Sequence, residues 1–278
     1  DGTAVLGAYS EASKMKKKNS TFGYADRFDE KYDLVRTLRV GKYKYIRNYQ
    51  PFNIDGLFNF YRYKMLAYQE WEALYNDGKL NAKQRQFFDS RGPEGLYDID
   101  QDPHEVNDLS ASPEHQEILA QMRKQLQEKL LLLPDLSFYP EPYLLDHAPD
   151  NPVVFGQNNK DKIKELMQVA DLNLSRFEEV QEKINQALKD DNPWKRYWGL
   201  VVCTSFGEKA KSLVPQIKNL LEQDDENLVR TRALEYLLLN QESVDHRIVD
   251  TLLKNAKSET EANLILNSLA LVKSSRPQ

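Results

Sequence analysis

In this 278-residue chain, three aspartates at alternate positions are the first candidates for a metal-binding or catalytic site. They are Asp98, Asp100 and Asp102, in the stretch EGLYDIDQDPHEVNDL. Clustered carboxylates bind calcium in EF-hand loops, but a loop beginning at Asp98 needs glycine at its sixth position and a bidentate glutamate at its twelfth. The chain has Pro103 and Leu109 there. A turn is therefore the better interpretation, because short acidic side chains accept hydrogen bonds from their own backbone.

Cysteine and histidine do not form a second candidate centre. Cys203 lies in the apolar stretch YWGLVVCTSFG, which is typical of a small buried residue. None of the four histidines lies near another at ligand spacing, and we expect each to be a surface residue and not a metal ligand. They are His104, His115, His147 and His246.

Charge and composition exclude two classes of partner. A net charge of −5 argues against nucleic acid, because duplex binding needs a clustered excess of lysine and arginine. No apolar run approaches the roughly 20 residues of a membrane span. The chain begins at Asp1 without methionine or a signal-peptide pattern, and we expect it to be a piece of a longer protein.

The predicted secondary structure changes along the chain from strands to helices and then to a linker. Alternating residues in DLVRTLRVGKYKYIRN predict a hairpin about Gly41, with further strands in STFGYAD and GLYDID. Helical spacing predicts a helix over 64–76 and another beginning at Pro113, with Ser112 as its N-cap. The proline-rich stretch 134–152 has little periodicity and predicts an extended linker that wraps over a surface.

The C-terminal part is helical and repeats. DDNPWKRYWGL (190–200) aligns with DDENLVRTRAL (224–234) at an offset of 34, a period typical of stacked helix pairs. The pattern resembles HEAT-like repeats. We therefore predict an α+β chain with a small antiparallel sheet and packed helices over 1–133. A linker over 134–158 and an all-α HEAT-like repeat domain over 159–278 complete the prediction.

Two segments resemble a known enzyme family. EGLYDIDQDPHEVNDLSASPEH (94–115) resembles a segment found near the C-terminus of sulfatases, and ADRFDEKYDLVRTLRVGKYKYIRNYQPF (25–52) resembles the strands of their C-terminal subdomain. The resemblance covers residues 1 to about 145. It implies the C-terminal part of a formylglycine-dependent sulfatase, a sulfuric ester hydrolase that acts on sulfated carbohydrate.

The same resemblance implies that the catalytic groups lie elsewhere. Sulfatases form their formylglycine from the Cys or Ser of a C/S-x-P-x-R motif and hold a calcium ion against the sulfate. Cys203 begins CTSFG, with Ser205 and Gly207 where proline and arginine should stand. We therefore expect no catalytic residue, metal ligand or cofactor in this chain. Formylglycine and calcium are expected in an N-terminal catalytic domain of the same polypeptide, which would be this chain's partner.

The resemblance also implies that loops of this subdomain line the substrate pocket. The candidate substrate-binding residues are Asp26, Arg27, Asp29, Glu30, Arg47, Asn48 and Tyr49. Arginine offers a fork that matches anionic oxygens, and carboxylates accept hydrogen bonds from hydroxyls. The alternative is that Arg27 and Asp29 pair with each other or with the catalytic domain. Arg36 and Arg39, within the strands, are expected to be structural or docking residues. The aromatic run 52–71 is expected to form a domain interface, and a surface on which sugar rings stack is the alternative.

A second function of another class stays open. The chain could be a stand-alone helical-repeat scaffold that binds a protein partner without catalysis. The acidic turns of the repeats disfavour a sulfated polyanion as their ligand, because like charges repel. For location, the resemblance suggests a periplasmic or secreted protein.

Overall fold

The computed structural model describes residues 19–28 and 31–275. Within them, one four-stranded antiparallel sheet packs against a larger set of helices. The predicted α+β fold is confirmed.

The sheet follows chain order. Its strands are β1 (Ser20–Phe28), β2 (Lys31–Val40), β3 (Tyr43–Asn48) and β4 (Glu94–Asp98), each antiparallel to the next. All four strands lie where the alternation of residues predicts them. Gly41 is the first residue of the two-residue turn between β2 and β3 and has a φ of +60°. A glycine with positive φ at that position is typical of a type II′ hairpin turn, whose twist matches that of the strands.

One face of the sheet is covered by a helix. This helix, α3 (Gln116–Leu132), follows α1 (Leu66–Asn76) and α2 (Ala82–Arg85). The sequence predicts a helix from Pro113, and Pro113–His115 forms a 3₁₀ turn that leads into α3. The predicted N-cap Ser112 makes no capping hydrogen bond with its side chain. The buried residues of α3 pack in one core with those of the strands, at about 1.5–3 kcal/mol for each large aliphatic side chain. They are Leu119, Met122, Leu126 and Leu130 on the helix, and Leu34, Leu38, Tyr45 and Leu96 on the strands.

The stretch after α3 differs from the prediction of an extended linker. It forms a 3₁₀ turn over Leu136–Phe138, then α4 (Glu141–His147) and α5 (Pro152–Asn158). Prolines start both helices, and proline suits the first turn of a helix because the amide it lacks would have no helical partner there. Phe138 is buried, and its carbonyl accepts a 2.8 Å hydrogen bond from the indole of Trp198.

Helices make up the rest of the described chain. They are α6 (Lys160–Ala170), α7 (Phe177–Ala187), α8 (Pro193–Phe206), α9 (Val214–Gln223), α10 (Asn227–Leu239), α11 (Arg247–Lys254) and α12 (Glu259–Ser274). The starts of α8 and α10 are 34 residues apart, and α10 packs between α8 and α12. The HEAT-like character of these helix pairs stays a prediction.

The aspartates that recur at this interval lie at equivalent turns. Asp190 accepts a hydrogen bond from the amide of Asn192, and Asp224 accepts one from the amide of Glu226, just before α8 and α10. Arg196 on α8 then binds both carboxylate oxygens of Asp224 at 2.7 and 2.8 Å. This ion pair connects α8 to the turn before α10.

The sheet and the helices share one continuous hydrophobic core. The predicted boundaries at 133 and 158 stay predictions. Among the described helices, none is long and apolar enough to cross a membrane.

Candidate functional site

The five predicted substrate-binding residues that the structure describes do not form one cluster. Asp29 and Glu30 lie outside the described residues. Asp26 and Arg27 lie near the end of β1 and are partly or fully exposed, whereas Arg47, Asn48 and Tyr49 are buried under the helices.

Asp26 is held in place by a buried arginine. Arg36 on β2 is only 2% exposed and binds Asp26 Oδ1 at 2.8 Å through Nη2. The same guanidinium binds both oxygens of Asp135, at 2.5 and 3.0 Å, and donates from Nη1 to the carbonyls of Ala25 and Val35. Burial lowers the pKa of Arg36, but the hydrogen bonds and charges of Asp135 and Asp26 outweigh it and raise the pKa above its usual value. The structural role expected for Arg36 agrees with this position.

Arg27 pairs with Glu141, whereas Asp29, the partner considered from the sequence, lies outside the described residues. Its Nε lies 3.1 Å from Glu141 Oε2, and its Nη2 binds the same oxygen, so the pair joins β1 to α4. Both side chains are more than a third exposed. Exposed pairs contribute about 0–1 kcal/mol, so Arg27 can be drawn to another anion at little cost.

Arg47, another of the predicted substrate-binding residues, is buried at the junction between the sheet and the helices. It is 2% exposed, and its Nη2 donates to Asp171 at 2.9 Å and to Asn173 at 2.7 Å. Its Nη1 donates to the carbonyls of Asn48 and Pro93, both at 2.9 Å. Burial lowers the pKa of Arg47, but the charge of Asp171 is the main cause that raises it above its usual value. Arg47 thereby fastens the sheet to the turn after α6.

Asn48 and Tyr49 are likewise core residues in this structure. The side-chain amide of Asn48 donates to the carbonyl of Gly92 at 2.9 Å. The ring of Tyr49 meets Phe138 and Trp198 edge-on, with centroids 5.1 and 6.1 Å away. Burial raises the pKa of Tyr49 well above its usual value. The role predicted for these two side chains in substrate binding stays a prediction.

Two arginines face each other across the sheet. Arg36 on β2 pairs directly with Arg47 on β3, on the same buried face as Leu38 and Tyr45. Like charges in this position destabilise a sheet unless each has its own counterion. Asp135 is the counterion of Arg36, and Asp171 is the counterion of Arg47. The buried pair therefore links the strands to two later segments of the chain.

The aspartate stretch forms a turn. Asp98 Oδ1 accepts the amides of Asp100 and Gln101 at 3.2 and 3.3 Å, and Asp102 Oδ2 accepts that of Asn107 at 2.7 Å. The 2.6 Å hydrogen bond from Lys42 is the main cause that lowers the pKa of Asp98. The prediction of a turn is confirmed. Asp98 accepts two of its backbone amides, and Asp102 accepts a third.

The described residues do not fit the cofactors that the resemblance implies. No three His, Cys, Asp or Glu side chains among them gather as a group that could hold a metal ion. Cys203 is fully buried within α8, and burial raises the pKa of its thiol well above the usual range. A residue enclosed in this way cannot meet a sulfate ester, so no step of sulfate cleavage is assigned to this chain.

Two open grooves lie on the described surface. One, of about 260 Å³, includes Asp26 and runs between β1 and the end of α3. The other, of about 700 Å³, lies among α3, α6 and α7 and carries lysines and acids in a mixed pattern. The first groove is the one next to the exposed residues that the sequence predicts as substrate-binding.

Comparison with known proteins relates this chain to one enzyme class. No protein-family model matches the chain. An ulvan-active sulfatase of Formosa agariphila is 38% identical to it over 146 residues, which are 52% of this chain and 24% of that protein. The chain thus spans about a quarter of the length of this relative. About half of the chain is therefore a sulfatase-related region.

Proposed function

We propose that this chain is the C-terminal part of a sulfatase that hydrolyses sulfate esters or N-sulfates of a carbohydrate. The 38% identity to an ulvan-active sulfatase carries the proposal. The antiparallel sheet backed by α3 supports it, because the resemblance of 25–52 and 94–115 to sulfatases implies such a sheet.

The reacting groups belong, in this proposal, to polypeptide outside this chain. A formylglycine nucleophile and a calcium ion would supply the attack on sulfur and the charge that offsets the sulfate. Cys203 and the described carboxylates do not fit either group. This chain would contribute substrate contacts, and alone it would not turn over substrate.

The charged residues near the end of β1 are the proposed contact surface. Asp26, with one carboxylate oxygen bound to Arg36, has its other oxygen for a sugar hydroxyl. Arg27 can exchange its exposed pair with Glu141 for two oxygens of a sulfate, which match its planar fork. Asp29 and Glu30, two positions further along the sequence, are proposed as additional substrate contacts.

The helical part is proposed to act as a scaffold for this surface. It holds the sheet through Arg47 and Asp171, and through the side-chain oxygen of Asn267 on α12, which accepts the amide of Tyr32 at 2.9 Å. Rigid elements position binding residues better than free loops do. The repeats would then support the sheet that bears the contact loop.

The test measures sulfate released from ulvan oligosaccharides by the protein translated from the whole reading frame that encodes this chain. We expect release by the wild type and at least a tenfold loss of kcat/KM in Arg27→Ala, since a charge-assisted hydrogen bond contributes about 1.5–3 kcal/mol. Arg39→Ala is the matched control, because Arg39 is an exposed strand residue bonded to the carbonyl of Gly41. No release from any sulfated carbohydrate would refute the function, and equal kcat/KM in the two variants would refute the role of Arg27.

A further inference from the structure

Two aromatic rings form a flat surface beside Asp26. Phe22 and Tyr24 alternate with Gly23 on the edge strand β1, so both side chains lie on one face. Their planes are 24° apart and their centroids 6.4 Å apart. Tyr24 is 74% exposed, an unusual position for a large aromatic ring. The pair offers a face on which the C–H groups of a pyranose ring can stack.

Polar groups surround this face. Asp26, Asp135 and Ser137 line the same groove, and its volume of about 260 Å³ is just below the roughly 300–1,000 Å³ of pockets for drug-sized ligands. A single sugar unit fits that size better than a longer chain. Carboxylate and hydroxyl oxygens can accept hydrogen bonds from the hydroxyls of a sugar.

Of the two cationic side chains that line the groove, Arg36 and Lys129, only Lys129 can bind the anion of a ligand. The Nε and both Nη atoms of Arg36 are already bonded to Asp26, Asp135 and two carbonyls, so its charge is neutralised within the protein. Lys129, in the last turn of α3, has no carboxylate partner among the described residues. Its ammonium lies 5.3 Å from the ring centroid of Phe22. An anion carried by a sugar stacked on Tyr24 would meet this lysine.

We propose that the groove between β1 and the end of α3 is a binding subsite for one sulfated sugar unit. Tyr24 stacks on the sugar ring, Asp26 accepts its hydroxyls, and Lys129 binds its sulfate. The subsite deepens the proposed function, on which its carbohydrate class rests. It adds the aromatic face of Phe22 and Tyr24 and the ammonium group of Lys129 to the residues proposed above.

The experiment titrates the full chain, labelled with ¹⁵N, with ulvan oligosaccharides and with the same oligosaccharides after chemical desulfation. Chemical-shift changes locate the ligand, and calorimetry gives the affinity. We expect shifts at β1 and the end of α3, with weaker binding of the desulfated form. Tyr24→Ala should weaken both ligands by roughly tenfold, as loss of an aromatic contact does. Lys129→Met should weaken only the sulfated ligand, by about fivefold, as for one exposed ion pair.

Two variants serve as matched controls. Lys124 lies on the same helix, is 78% exposed and pairs weakly with Glu128, so Lys124→Met should bind like the wild type. Tyr61 is as exposed as Tyr24 but lies away from β1 and α3, so Tyr61→Ala should also bind like the wild type. Melting temperatures of all four variants should match the wild type, because these side chains are at the surface.

The outcomes separate this inference from the proposed function. Equal effects of Lys129→Met and Lys124→Met, or shifts confined to other elements, would overturn the subsite. Sulfate release by the whole protein without binding at the groove would overturn the subsite alone. Binding at the groove without sulfate release from any sulfated carbohydrate would overturn the proposed function and leave the subsite standing.

Discussion

Replacing Arg47 with methionine should destabilise the chain more than any exposed substitution. Methionine keeps the length of the side chain but removes its charge and all its donors. Asp171 and the amide oxygen of Asn173 then lose their partner at the junction between sheet and helices. Gln127 still donates to the other oxygen of Asp171 at 2.8 Å, so that carboxylate is only partly compensated.

The size of the effect follows from burial. Removing one partner of a buried ion pair costs about 3–5 kcal/mol, because it leaves an uncompensated charge. Arg47 is 2% exposed and the side chain of Asp171 is 15% exposed, so this range applies. At about 2–4 °C per kcal/mol for a domain of 150–250 residues, the melting temperature should fall by about 6–20 °C.

Chemical and thermal denaturation, followed by circular dichroism, measure the change. Arg39→Met is the matched control and should change the unfolding free energy by no more than about 0.5 kcal/mol. Arg47→Met with Asp171→Leu should recover part of the loss, because no unpaired charge remains. If Arg47→Met were as stable as Arg39→Met, Arg47 would not hold the sheet to the helices.

Three further predictions follow from other residues. Asp224→Asn breaks the bidentate ion pair between Arg196 and the side chain of Asp224, which is 2% exposed. The substitution should lower the free energy of unfolding in urea by about 3–5 kcal/mol. A change near zero would show that this ion pair does not stabilise the packing of α8 and α10. Cys203 should not react with a thiol reagent at pH 8 in the folded chain and should react once in denaturant, because burial raises its pKa; rapid native labelling would contradict the packing of α8. Lys42 lowers the pKa of Asp98 below the usual 3.8, so their contribution to stability is full above that pH and is lost as the pH falls below it. The stability difference between wild type and Lys42→Met should therefore shrink on going from pH 7 to pH 2 in denaturant titrations, and a constant difference would refute the pairing.

The strands could be predicted from the sequence because their signals are local. Alternation of Leu34, Arg36 and Leu38 places them on one face, and Gly41 marks the turn where β3 begins. The aspartate turn was predictable for the same reason, since Asp98 binds amides within three residues of itself.

The burial of Arg47 could not be predicted in this way. Its counterion, Asp171, lies 124 residues further along the chain, and no local pattern connects them. The one available signal was its alternation with Tyr45 on the apolar face, which an arginine occupies only when it is paired. The same limit explains the stretch after α3, where the prolines suggested an extended linker. They instead begin two short helices, and Tyr143 on α4 contacts Trp194 at the start of α8.

Sulfate release is the decisive measurement for the proposal that this chain is the C-terminal part of a sulfatase. Ion chromatography would compare the protein from the whole reading frame with this chain alone, at equal concentration, on ulvan oligosaccharides. We expect inorganic sulfate to accumulate only with the longer protein. Release by this chain alone that persists through stringent purification, or a reading frame that encodes nothing beyond this chain, would contradict it.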